Sequence, residues 1–283
     1  MIIQHLAPQP SRTLRSIAAA HPVRTYLVLV FGAGYPLMLT LVLSWHGMLP
    51  GGRLLRALPL EPAQVTALLV TWTVLLPAAL MITGAVGGRA GVRALLRQAV
   101  CWRFGRGWWL VIMAGLPILT VAGALLAGAS WQPVDLPRVL LAQLGLLAVN
   151  VAVISLAEEV AWTGVVQARL AQRHRPGVAG LLAALPFALL HWPIIGFGPV
   201  SVGSALAALV ALLVLGALVR PLLGLIMHRT GGSVLAAAVL HAVFNRTNNP
   251  DGLVAAVTTG DRYQLSVLAA VLLLTGLLAV RRG

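Results

Sequence analysis

Three short constellations interrupt apolar runs in the second half of this 283-residue chain. Glu158 and Glu159 sit in Asn150-Val-Ala-Val-Ile-Ser-Leu-Ala-Glu158-Glu159-Val-Ala-Trp-Thr163-Gly164. Further on come Phe187-Ala-Leu-Leu-His191 and His241-Ala-Val-Phe-Asn245. An i,i+4 spacing puts Phe187 with His191, and His241 with Asn245, on one helix face each. The chain has six acids, and four of them (Glu61, Asp135, Asp251, Asp261) fall where loops are expected. Placing a carboxylate in a membrane helix costs about 2.5–3.5 kcal/mol on insertion scales, which makes the Glu pair a functional candidate. Each motif alone has an ordinary explanation. The acid pair can mark a helix end, and a lone helical histidine is usually a packing residue. Three together on apolar helices ask for one explanation.

That explanation is hydrolysis with water as nucleophile. A carboxylate in a dry cavity can take a proton from water and return it to a leaving amine. A histidine can help hold the water. His241 and Asn245 offer N–H donors on one face, the parts of an oxyanion hole. No metal and no cofactor is required. Other schemes fit less well. Ser155 lies one turn before Glu159, but no Gly-x-Ser-x-Gly elbow is present. A His-Glu-x-x-His zinc motif is absent. Glu158, His191 and His241 remain an alternative two-histidine, one-carboxylate metal site.

The elements that must position these residues are membrane helices. Hydrophobic residues make up 59% of the chain and charged ones 9%, against about a quarter charged in soluble domains. Mean hydropathy is +0.94. Runs near the roughly 20 residues that cross a bilayer are expected at Thr25–Trp45, Gln64–Val86, Leu110–Ala129, Val139–Leu156 with a helical extension, Val178–His191, Val200–Val219, Ser233–Phe244 and Tyr263–Val280. The fold class is therefore an all-α polytopic bundle of about eight spans in a single membrane domain, 1–283. The fifth and seventh runs are short and polar, as expected of segments facing protein or water instead of lipid. With both termini inside, fifteen of the twenty arginines fall on the inner side, Arg220 among them as a loop residue. Residues 1–24 are expected to form an N-terminal cytoplasmic segment and not a cleavable signal peptide. The Arg-rich stretch Gly87–Trp109 is either a surface-lying amphipathic helix or an ordinary positive loop. The net charge of +14 reflects topology and not nucleic acid, since no basic stripe with interleaved aromatics exists. Cys101 is the only cysteine, which excludes a disulfide framework.

In motif order the chain resembles the CPBP family of CAAX proteases and bacteriocin-processing enzymes, also called Abi. That family carries Glu-Glu-x-x-x-Arg, Phe-x-x-x-His and His-x-x-x-Asn on successive helices. The resemblance covers 148–245 and implies a membrane-embedded glutamyl endopeptidase. It implies that Glu158 activates water with His191, that His241 and Asn245 stabilise the oxyanion, and that Glu159 supports the site. The first motif departs from the family in having Thr163 in place of its arginine. Arg246 and Arg169 are the expected substitutes. The departure also admits a catalytically silent adaptor or immunity protein. A transporter is disfavoured because no internal repeat relates two halves. The expected partners are the lipid bilayer and a peptide or membrane-protein substrate, in a bacterial inner membrane. Straight spans would separate Glu158 from His191 and Asn245. Either the fourth helix is long and tilted, or the fifth and seventh begin deeper.

Overall fold

The computed structural model describes residues 14–198 and 201–280. Most of the expected N-terminal segment, Val200 at the start of the sixth expected span, and Arg281 and Arg282 lie outside the described residues. The chain runs as helices α1 (Leu14–Ala20), α2 (Pro22–Trp45), α3 (Gly52–Ala57) and α4 (Pro62–Ala99). It continues as α5 (Arg106–Leu126), α6 (Leu136–Leu170), α7 (Pro176–Phe197), α8 (Val202–Arg229) and α9 (Val234–Thr247). The last two are α10 (Leu253–Val257) and α11 (Arg262–Val280).

Among the described residues, seven helices are long and apolar enough to cross a membrane, and α9 is a shorter apolar helix. The chain is an integral membrane protein with the expected polytopic helical architecture. At 1.5 Å per residue α9 is about 21 Å long, less than the roughly 30 Å hydrocarbon core. It is instead enclosed by protein: almost every residue from Val234 to Phe244 is buried.

Two large apolar clusters, with a small third one at Ala124, Val254 and Tyr263, form the core of the described residues. One joins α2, α4, α6 and α7 through Tyr26, Met38, Leu75, Trp162, Val165 and Leu190. The other joins α5, α8, α9 and α11 through Leu116, Leu223, Ile226, Leu240 and Val271. Helix α6 packs on α4 at one side and on α9 at the other. Its first half buries nothing, and Leu141 is 75% exposed, a surface suited to lipid. Its second half, from Ala157 to Gln167, is buried throughout. Two widened π-helical segments, Val151–Ser155 and Trp162–Gln167, flank the turn that carries Glu158 and Glu159. Such segments free backbone groups from the regular ladder. Here Trp72, in the π-helical segment of α4, donates its indole N–H to the Val153 carbonyl at 2.7 Å.

Three expectations are corrected. The fifth helix is longer than expected, because a 3-10 turn over Trp192–Phe197 continues it past His191. The sixth continues ten residues beyond Val219, to Arg229. Arg220 is therefore not a loop residue; it is fully buried inside α8. The stretch after Val86 is helical up to Ala99, with a sharp change of direction at Gly88 (φ 58°, ψ −157°). That backbone region is essentially restricted to glycine. Beyond it Arg89, Arg93 and Arg97 are exposed, while Leu95 and Ala99 are buried. The segment is thus an amphipathic helix followed by a short loop.

Candidate active site

The three constellations meet in one place. Helix α6 supplies Glu158 and Glu159, α7 supplies His191, and α9 supplies His241 and Asn245. Glu158, His191, His241 and Asn245 all line one cavity of about 270 Å³. Its other walls are mostly aliphatic, including Met38, Val70, Leu190, Leu212 and Leu215. The long fourth helix resolves the depth problem: α6 continues to Leu170, so its acids lie within the bundle and not at a helix end.

The two glutamates have different surroundings. Glu158 Oε1 lies 3.4 Å from His191 Nε2. The Phe187 carbonyl accepts a hydrogen bond from His191 Nδ1 at 2.8 Å. This fixes the tautomer and turns Nε2 toward Glu158. The 3.4 Å gap exceeds a direct N–H···O bond and suits a water that touches both groups. Phe187 also stacks on the imidazole, with ring centroids 4.3 Å apart, so the i,i+4 relation is used twice.

Glu159 is fully buried and both of its oxygens are occupied. Oε1 accepts from His241 Nδ1 at 2.8 Å and from Arg220 Nη1 at 2.7 Å. Oε2 accepts from the Thr163 hydroxyl. A buried carboxylate needs such saturation, because an unpaired charge there is very costly. With Nδ1 held by Glu159, His241 keeps Nε2 for a group in the cavity.

Sequence reasoning missed Arg220. Its guanidinium reaches Glu159, Thr163 Oγ1 (2.9 Å) and Gln167 Oε1, and it stands 5.0 Å over the Phe187 ring. The expected substitutes point elsewhere. Arg246 bonds Gln143 and the Asp251 carbonyl. Arg169 bonds the Val165 carbonyl one turn back. One signal was available: Arg220 interrupts an apolar run, and Gly216 and Gly224 flank it at four-residue spacing. Those glycines and Gly180 allow close helix contact. A Cβ on Gly180 would come within 2.5 Å of Pro221 Cα, and one on Gly216 within 3.2 Å of the Ala184 carbonyl oxygen. Small residues at such crossings are the usual device for tight packing of membrane helices. Gly164 serves the same end on α6, where a Cβ would lie 2.7 Å from Leu95 Cδ1.

Among the described residues no three His, Cys, Asp or Glu side chains form a group that could hold a metal ion.

A search of curated proteins and of solved structures found no match. A family model does match. Residues 140–247, from α6 through α9, match the model described as type II CAAX prenyl endopeptidase Rce1-like. That stretch contains Glu158, Glu159, His191, His241 and Asn245, and over it the chain is similar to the Rce1-like CAAX-protease family that the three motifs resemble.

Proposed function

We propose that the protein is an intramembrane endopeptidase that hydrolyses a peptide bond with water activated by Glu158. One observation carries this reading: Glu158, His191, His241 and Asn245, from three helices, line one apolar-walled cavity. A water held in the cavity beside Glu158 and His191 Nε2 attacks the scissile carbonyl and gives its proton to Glu158. His241, as imidazolium, donates Nε2–H to the developing oxyanion, and the Asn245 amide donates beside it. Glu159 neutralises that imidazolium through Nδ1. Collapse of the tetrahedral intermediate breaks the C–N bond, and Glu158 returns its proton to the leaving amine.

The apolar walls suit a peptide or membrane-protein segment with apolar residues around the scissile bond. In a bacterial inner membrane this means a peptide, lipoprotein or membrane-protein segment, handled as in CAAX-type or bacteriocin-type processing. The catalytic core is 148–245, within a single membrane domain.

The test compares membranes holding wild type or Glu158→Ala, with new N-termini mapped by mass spectrometry, with and without a chelator. Termini found only with wild type and resistant to chelation support the proposal and name the substrates. Loss on chelation favours a metal-dependent protease. Identical profiles from two well-folded proteins favour a silent adaptor or immunity protein.

A further inference from the structure

We infer that Arg220 is a positioning residue that supplies from α8 the positive charge missing at position 163 of α6, so that the Thr163 departure leaves the site competent. The inference rests on the peptidase reading and identifies what keeps its oxyanion-side histidine in place.

Thr163 lies one turn after Glu159, and its hydroxyl bonds Glu159. A guanidinium on residue 163 would lie beside the same carboxylate. Arg220 puts its guanidinium there from another helix, sixty-one residues away in sequence. Its fork spans three residues on one stripe of α6: Glu159, Thr163 and Gln167. Gln167 in turn donates its side-chain N–H to the Arg220 carbonyl at 3.0 Å. The short threonine therefore vacates the space that the incoming arginine fills, and no acid other than Glu159 is bonded to it.

Arg220 acts on the reacting atoms through others. On one side Arg220 and His241 share Glu159 Oε1, so the arginine fixes the carboxylate that orients the imidazole. On the other, its guanidinium lies over Phe187, the ring that stacks on His191. One buried cation thus reaches both histidines without lining the cavity. A planar five-donor fork meets this geometry, and a lysine ammonium does not.

The test exchanges the two side chains. Arg220→Thr, Arg220→Lys and the double exchange Thr163→Arg/Arg220→Thr are made in the full chain. Each is assayed for the wild-type-dependent N-termini and, in detergent, for melting temperature. Arg220→Thr is expected to lose about 100-fold in rate, the scale of an ångström's misplacement, with a lowered melting temperature. Arg220→Lys keeps the charge and should hold the fold with partial activity. The exchange variant conserves composition and side-chain volume and should regain most of the rate and the melting temperature. An exchange variant that misfolds, or that folds and stays as slow as Arg220→Thr, overturns the inference. So does an Arg220→Thr variant as active as wild type. If wild type itself yields no termini, the peptidase reading has failed. Melting temperatures then decide the charge relocation alone: recovery in the exchange keeps it, and no recovery overturns it.

Discussion

At the scale of residues, the adjacent glutamates have different partners because successive helix positions project in different directions. Glu158 faces the cavity and His191, whereas Glu159 faces Arg220, Thr163 and His241. Their amide variants should separate the two roles. Glu158→Gln should abolish cleavage and leave the melting temperature near wild type, since its contact is at the cavity edge. Glu159→Gln should destabilise the fold by about 3–5 kcal/mol, because it strands a buried guanidinium without its counter-charge. Denaturation in detergent measures both. Equal stability losses would contradict this division. Phe187 stands between Arg220 and His191 and holds the latter by stacking and through its carbonyl. Phe187→Leu keeps the carbonyl and removes the ring. Cleavage should fall about tenfold, in proportion to the loosened histidine, with folding retained; an unchanged rate would show that the carbonyl alone orients His191.

At the scale of elements, the site depends on how closely α7 approaches α8. Gly180 faces the Pro221 backbone at a distance that admits no side chain, and Arg220 is the neighbouring residue. Gly180→Val should push the helices apart, draw Arg220 from Glu159, and lower stability and cleavage together. Gly177, three residues earlier on α7, faces open space, with nothing within 4 Å of where a Cβ would project, so Gly177→Ala is the matched control. Similar melting temperatures for the two variants would remove the close approach from the account. Helix α6 contributes by its own irregularity. Two π-helical segments surround a single regular stretch, and the acids occupy that stretch. The neighbouring α9 is too short to span alone, yet it is the most completely enclosed helix of the site, as a carrier of two polar residues in a membrane must be.

At the scale of the whole molecule, the arginine distribution makes a prediction about sides. Even with Arg220 withdrawn from the loops, the excess remains on the side assigned to the cytoplasm. Cys101, partly exposed and the only cysteine, follows the amphipathic Arg89–Ala99 segment and reports on that side directly. A membrane-impermeant maleimide should label it in inside-out vesicles and not in right-side-out ones, with Cys101→Ser as the blank. The opposite pattern would invert the topology and place both termini outside.

Composition and periodicity alone determined that the bilayer is the solvent, that about eight helices occur in this order, and that Glu158, His191, His241 and Asn245 stand on them. These are local properties: hydropathy sums over a window, and i,i+4 relations hold within one helix. The partner of Glu159 was decided by tertiary structure. Proximity in sequence favoured Arg169 and Arg246, while the glycine contact between α7 and α8 brought in Arg220 from a different helix. Hydropathy alone also stopped α8 at Val219, because a charge in an apolar run looks like a helix end until a buried carboxylate is found beside it. The convergence of α6, α7 and α9 on one cavity was equally beyond reach of the linear chain, since it depends on how far α6 continues past its acids and on what encloses a helix too short to cross the membrane by itself.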